Sequence, residues 1–243
     1  QRFITQVGAP IANLYGYNII GLLKTEEEVE DYLNRKYTTM TAEIGDYIFQ
    51  DTDRNDTIDA RDRIPLGNYM PELTYGFGIN LAFKNFDLIM NFNGTGGRVA
   101  YDLMTSNYLE YGEAFTSTNY HYFNNYWDPT RNPDGFFAPP DAYGNTATRA
   151  ASRNPTNYNV LDADYLRLRS VQVGYNLANT WLDALNLQAL RVYIAVNNLY
   201  TWTNYRGMNP DGGDSGNPLS SGYIEGTTSV PRMISAGINV SFQ

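Results

Sequence analysis

The chain has 243 residues, a formal net charge of −9 and no cysteine. That acidity argues against nucleic acid as a partner, and the missing thiols exclude disulfides and thiolate metal sites. No apolar run approaches the roughly 20 residues of a membrane helix. The chain begins with Gln1 rather than Met and shows no signal-peptide pattern, which is expected of a processed product or a fragment.

In chain order, Ile11–Leu23 is a weakly alternating segment read as a sixth strand beside the five described below. "DTDRNDTIDARD", Asp51 to Asp62, gathers five aspartates and one asparagine in a dozen residues. Calcium loops take oxygen ligands at positions 1, 3, 5, 7, 9 and 12. Those positions hold Asp51, Asp53, Asn55, Thr57 (through its carbonyl), Asp59 and Asp62, with Ile58 as an apolar anchor at position 8. Position 6 is Asp56 rather than the turn glycine, position 12 is Asp rather than Glu, and no amphipathic helices flank the loop. The two readings are a Ca2+ loop and a solvated acidic turn region.

Clear period-two alternation begins at Leu73. Leu73, Tyr75, Phe77, Ile79, Leu81 and Phe83 share one face, opposite Thr74, Gly76, Gly78, Asn80 and Ala82. A tight Lys84-Asn85 turn leads to Phe86, Leu88, Met90 and Phe92, opposite Asp87, Asn91 and Asn93. "GTGGR", Gly94 to Arg98, is too short to cradle a phosphate and reads as a strand-to-loop turn. In "YLRLRSVQVGYNL" the apolar phase switches from Leu166 and Leu168 to Val171, Val173, Tyr175 and Leu177, which predicts a β-bulge near Arg169–Ser170. Leu190, Val192, Ile194 and Val196 form the next apolar face. Ile234, Ala236, Ile238, Val240 and Phe242 form the last, against Ser235, Gly237, Asn239 and Ser241.

The second faces are small and polar. A soluble sheet exposes Lys and Glu there, whereas Gly, Ser, Asn, Thr and Ala suit a wet lumen, which leaves the apolar face to lipid. Composition agrees: aromatics are 14%, charged residues only 18%, and mean hydropathy is −0.44. A barrel's polar lumen hides its apolar face from such averages. Connections alternate between long (24–72, 95–164, 201–230) and short (Lys84-Asn85 and about 178–188), as in outer-membrane barrels with external loops and periplasmic turns. That places the C-terminus on the periplasmic side. Tyr75, Phe83, Phe86, Tyr165, Trp181, Tyr200, Trp202 and Phe242 lie near strand ends, where interface girdles sit. Six strands cannot close a barrel, and an open edge cannot stand in lipid, so more strands must come from a missing N-terminal portion or from another chain.

Other candidate sites are weaker. His121 is the only histidine and reads as structural. No nucleophile constellation stands out, so no catalysis is expected. Tyr101, Tyr108, Tyr111, Tyr120, Tyr122, Tyr126 and Trp127 in the long loop are candidates for stacking on sugars or covering a partner, against packing within the loop itself. Arg167 and Arg169 are candidates for lining the lumen or pinning a plug. Two other classes stand beside the barrel: a soluble calcium-stabilised β-sandwich binding carbohydrate, and a secreted glycosidase fragment.

Several blocks, in order and across most of the chain, resemble the C-terminal part of the SusC/RagA family of TonB-dependent outer-membrane transporters of Bacteroidetes. They are "YGYNIIGLLKTEEEV", "IGDYIFQDTDRNDTIDARDRIPLGNYMPELTYGFGINLAFKNFDLIMNFNGTGG", "YLRLRSVQVGYNL", "LRVYIAVNNLYTWTNYRGMNPD" and "PRMISAGINVSF". The resemblance implies an all-β, antiparallel 22-stranded transmembrane barrel with an N-terminal plug, this chain supplying about the last six strands. It implies a SusD-like surface lipoprotein partner, a dimer of that transporter–lipoprotein pair, energy from TonB through the absent N-terminal part, and import of oligosaccharides, glycans or peptides. Two features depart from the family pattern. Asn55-Asp56-Thr57 replaces a glycine-containing turn in the acidic block, and Phe242 is penultimate, before Gln243.

Overall fold

The computed structural model describes residues 2–34, 42–102, 120–140, 154–185, 187–212, 219–220, 222–224 and 228–242. The chain divides into two compact units interleaved along the sequence. One collects Gln1–Met70, Arg98–Asp162 and Asp211–Thr227; the other collects Pro71–Gly97, Ala163–Pro210 and Thr228–Gln243. The long connections fall in the first unit and the alternating strands in the second.

The second unit is a five-stranded antiparallel sheet of β6 (Leu73–Phe83), β7 (Phe86–Gly96), β10 (Tyr165–Asn176), β11 (Leu187–Thr203) and β13 (Met233–Phe242). Its order is β13-β11-β10-β7-β6. The register joins the apolar positions into one face. Leu81 pairs Leu88, which pairs Val173, which pairs Ile194, which pairs Ala236. The expected bulge is present: Leu168 pairs Phe92 and Ser170 pairs Asn91, so Arg169 has no opposite number on β7. On β11 the same step runs from Tyr200 to Asn197, and Asn198 takes φ 54° to absorb the extra residue. The Lys84-Asn85 turn is a two-residue hairpin closed by the Phe83–Phe86 pair, with Lys84 at φ 53°. The other short connection is a helical segment, Asn179–Leu185, rather than a plain turn.

The first unit has its own core. Its described strands are β1 (Phe3–Ile4), β2 (Asn13–Gly16), β3 (Ile19–Leu22), β4 (Tyr47–Phe49), β5 (Ile64–Gly67), β8 (Val99–Asp102), β9 (Val160–Asp162) and β12 (Tyr223–Ile224). They form small sheets ordered β1-β2-β5, β12-β8-β9 and β3-β4. The Ile11–Leu23 segment is therefore redirected. It supplies β2 and β3 here rather than a sixth strand of the long sheet. Its weak alternation has a physical reason: Asn13, Leu14 and Gly16 are buried and Tyr15 is half-buried, so β2 has no fully exposed face. A Cβ on Gly16 would lie 1.8 Å from the Pro155 carbonyl oxygen, so β2 can run this close to residue 155 only with glycine there.

Tyr47, Tyr101, Tyr122, Phe137, Leu14, Leu23 and Ile224 are fully buried in this unit. Each such side chain contributes about 1.5–3 kcal/mol through apolar surface removed from water. The helix Glu26–Asn34 starts with a capping box. Thr25 Oγ1 accepts the Glu28 N–H, and Glu28 Oε2 accepts the Thr25 N–H. Val29 and Tyr32, three residues apart on one face, then pack with Leu23, Ala42 and Ile48.

Candidate functional site

The apolar face of the long sheet is exposed. Phe83 is 72%, Ile238 65% and Phe242 74% accessible, and Leu73, Phe77, Leu81, Phe86, Ile194, Tyr200, Trp202 and Ile234 are exposed with them. A soluble sandwich would bury this face in a core. Strands of 10–12 residues (β6, β7, β10 and β13) match the roughly 9–11 that a tilted strand needs to cross a bilayer. Among the described residues, no helix is long and apolar enough to cross one. Some aromatics lie at the strand ends: Tyr200 meets Trp202 at 4.9 Å, and Phe86 meets Tyr175 at 4.8 Å near the short turns; Phe77 stacks on Phe92 at 4.6 Å in mid-strand. Tyr165 does not belong to such a girdle. It precedes the bulge on the polar face, paired with Thr95 and Thr203, and is buried.

The opposite face is polar and internally bonded. Asn91 Nδ2 donates to Ser170 Oγ at 2.9 Å. Arg167 is buried and donates to Thr201 Oγ1 and Asn209 Oδ1, each at 3.0 Å. Arg191 Nε and Nη2 donate to the two oxygens of Asp87 at 3.0 and 2.5 Å. This bidentate pair joins β7 to β11 across the intervening β10, directly over Gly174. A Cβ on Gly174 would lie 2.4 Å from Arg191 Nη2 and 2.5 Å from Asp87 Oδ1. With its amide swapped, the Gln172 oxygen also accepts from Arg191 at 2.7 Å. Sequence reasoning placed Asp87 and Arg191 on the polar face but missed their pairing. The available signal was a glycine inside a strand, which marks close approach of another group.

The acidic loop folds as a closed circuit. Asp51 Oδ1 and Oδ2 accept the N–H groups of Asn55 and Asp56 at 3.2 and 2.7 Å. Asn55 Oδ1 accepts the Thr57 N–H, and its Nδ2 donates to Asp53. Asp62 is wholly buried and accepts from the Thr52 and Asp59 N–H groups at 2.8 and 2.7 Å, tying the loop's end to its start. Ile58 packs into the core with Tyr47, Phe49 and Trp127, as its anchor position predicts. Asp56, standing where a glycine is usual, takes φ 59°, a left-handed conformation that Asp tolerates better than most residues.

Ligand-capable oxygens of Asp51, Asp53 and Asp62 lie within 4.8 Å of one another. Asp59 lies outside that group. It caps a single 3-10 turn, Ala60–Asp62, and its carboxylate binds the Arg61 guanidinium at 2.7 Å. That bond, followed by the Arg61 N–H, holds the Asp59 carboxyl below the usual carboxylate range. For Asp51, desolvation pushes upward but is outweighed by the N–H groups of Asp56, Asn55 and Arg54, so its carboxyl is also lowered.

Most of the loop aromatics that can be placed face inward. Tyr101, Tyr122 and Trp127 are buried, and the Tyr122 hydroxyl donates to the Ala138 carbonyl at 2.6 Å. Tyr126 is half-buried under Arg131, whose Nη1 donates to its hydroxyl at 2.9 Å. Tyr120 is exposed. Tyr108 and Tyr111 lie outside the described residues. His121 packs against Phe136 and Phe137, a structural setting. At Gly94–Arg98, β7 ends and Gly97 turns at φ 75°, as a strand-to-loop turn requires.

No family model matches the chain. Among curated proteins, TonB-dependent receptor P26 of Formosa agariphila is 28% identical over 241 residues, covering 97% of this chain and 23% of that protein. TonB-dependent receptor SusC of Bacteroides thetaiotaomicron is 24% identical over 173 residues, covering 68% of this chain and 15% of that protein. A solved structure of the RagAB peptide transporter superposes with a TM-score of 0.66 at 17% identity, covering 96% of this chain and 23% of the matched chain. The RagAB peptide importer in its "open-open" state gives 0.65 at 18% identity. This chain thus spans about a quarter of the length of the first curated relatives it matches. Its long sheet has the fold of an antiparallel β-barrel wall, and the chain is SusC/RagA-like, a partial segment similar to TonB-dependent receptors along nearly its whole length.

Proposed function

We propose that this chain is the C-terminal part of the barrel of a TonB-dependent, SusC-like importer in the bacterial outer membrane. The observation that carries the reading is the exposed apolar face of the long sheet, backed by a polar, internally bonded face. The apolar face meets lipid, and the polar face lines the lumen. Among the described residues the outer edges of β6 and β13 have no strand partner. An open edge cannot stand in lipid, so the remaining strands, the plug and the TonB-contacting segment belong to the rest of the receptor. In the family's 22-stranded arrangement, β13 ends on the periplasmic side. On the same reading the long connections are external loops, where a SusD-like lipoprotein would seat, with the transporter–lipoprotein pair able to dimerise.

The cargo class is an oligosaccharide, glycan or peptide, and this chain performs no chemistry on it. The acidic loop is a Ca2+ site held by Asp51, Asp53 and Asp62, with Asn55 and the Thr57 carbonyl completing an all-oxygen set and Asp59 acting from outside it. Oxygens within 4.8 Å of one another suit an ion that binds at 2.3–2.6 Å. Bound calcium would neutralise the clustered carboxylates and stiffen the loop above the Ile58 anchor.

The test is detergent extraction of native outer membranes, with mass spectrometry of what co-purifies. Recovery with a plug-bearing N-terminal segment and a SusD-like lipoprotein is expected, and ligand in that complex names the cargo. Recovery as a detergent-free soluble monomer refutes the reading.

A further inference from the structure

We infer that Arg169 is a lumen-facing contact for an anionic group, of the carboxylate class, carried by whatever occupies the barrel at that height. The inference rests on the barrel reading above.

The five long strands carry four charged side chains: Asp87, Arg167, Arg169 and Arg191. Asp87 and Arg191 neutralise each other, and Arg167 is buried in hydrogen bonds to Thr201 and Asn209. Arg169 is exposed and makes no hydrogen bond or ion pair with the described residues. The bulge decides its face. Arg167 is polar-side and Leu168 apolar-side, paired with Phe92 and Tyr200; Ser170 is again polar-side, bonded to Asn91. Alternation therefore gives Arg169 and Ser170 to the polar face together, which is how bulges re-aim a side chain. Energy agrees, since an arginine on the lipid face near the bilayer midplane costs about 2–4 kcal/mol.

Strand order decides where a counter-charge can come from. β10 is the central strand, with β7 and β6 on one side and β11 and β13 on the other. At about 4.8 Å per strand, the nearest strand outside this sheet is roughly 14 Å away laterally, beyond an arginine's reach. The wall around Arg169 is complete and supplies no anion; Asn91, Asn93 and Asn197 beside it are neutral. An unpaired guanidinium facing a lumen binds planar anions in bidentate fashion. Two sources share that chemistry, a plug carboxylate of the same polypeptide and an anionic group on the cargo.

The experiment uses the whole receptor with its co-purifying partners. A photoreactive benzophenone amino acid is placed at position 91, beside the bulge, and a second one at the exposed apolar position 173 as a control. The expected adduct at 91 maps to an Asp- or Glu-bearing peptide of the receptor outside this whole 243-residue chain, which identifies the plug, or to a separate anionic molecule, which identifies cargo. R169Q should lower its yield about tenfold, the loss of roughly one charge-assisted contact, while R169K retains most of it. Adducts confined to the neighbouring strands, a lipid adduct at 91, or a yield indifferent to R169Q each overturn the inference. The control separates the two claims, because an absent lipid adduct at 173 removes the membrane reading itself.

Discussion

Replacing Val173 by arginine tests which solvent the apolar face meets. Val173 lies on the central strand β10, between Leu88 of β7 and Ile194 of β11, and is 48% exposed. If the face met water, a half-exposed valine would accept arginine within about 0.5 kcal/mol, the usual range for surface changes. If it meets lipid, the same change costs about 2–4 kcal/mol near the midplane, or roughly one and a half to three decades in the folding equilibrium. Asn80→Arg is the matched control. Asn80 is exposed too, but on the polar face of β6 opposite Ile89. The assay is a urea titration of the whole receptor folded into phospholipid vesicles, followed by heat-modifiable gel mobility. The expected result is a loss of about 2–4 kcal/mol for Val173→Arg and less than about 0.5 kcal/mol for Asn80→Arg. Equal small losses for both would refute the argument, because they would place both faces in water.

Four further outcomes follow from the geometry. Gly174→Ala drives a Cβ into the Asp87–Arg191 pair and should cost about 1–3 kcal/mol in the same titration, the range for overpacking. Tyr122→Phe leaves the buried Ala138 carbonyl without its hydroxyl donor and should cost about 1–2 kcal/mol without altering lipid insertion. Substituting Asp51 and Asp53 together with alanine should abolish calcium-dependent protection of the acidic loop from protease; unchanged metal content and unchanged protection would remove the calcium proposal. Asp59 has a carboxyl lowered by Arg61. Its contribution to loop stability is present above the ordinary carboxylate range and is lost as pH falls through the folded-state value. Loop cleavage should therefore stay flat from neutral pH to about pH 4 and rise below it, and Asp59→Asn should remove part of that rise.

The wall was legible because its physics is local. A strand with lipid on one side and a lumen on the other must alternate at period two, so Leu73 to Phe83 and Ile234 to Phe242 declare both their direction and their faces. Even the bulge at Arg169 was visible, since an added residue shifts the apolar phase by one and the shift can be counted along the chain. The Asp87–Arg191 pair was not visible. It joins two strands that are not neighbours, and nothing in either strand names the other; only Gly174 between them hinted that something crosses there.

The connections were less legible for the opposite reason. Read as long loops, they contain short strands whose residues are buried on both sides, so alternation fades where packing is densest: Asn13, Leu14 and Gly16 are buried together, as are Ala100, Tyr101 and Asp102. The same density explains the tyrosines. Exposed aromatics and core aromatics have identical composition, and only the fold separates Tyr101 and Tyr122, sealed in a core, from Tyr120, open to solvent. The acidic loop lies between these cases. Its anchor Ile58 is a local signal and packs into the core, but the withdrawal of Asp59 to Arg61 depends on a side-chain choice two residues away. On the barrel reading, a chain built this way divides its sequence information by solvent. Where lipid and lumen impose a period the sequence states the structure, and where a protein core replaces both, the same residue types carry no directional signal.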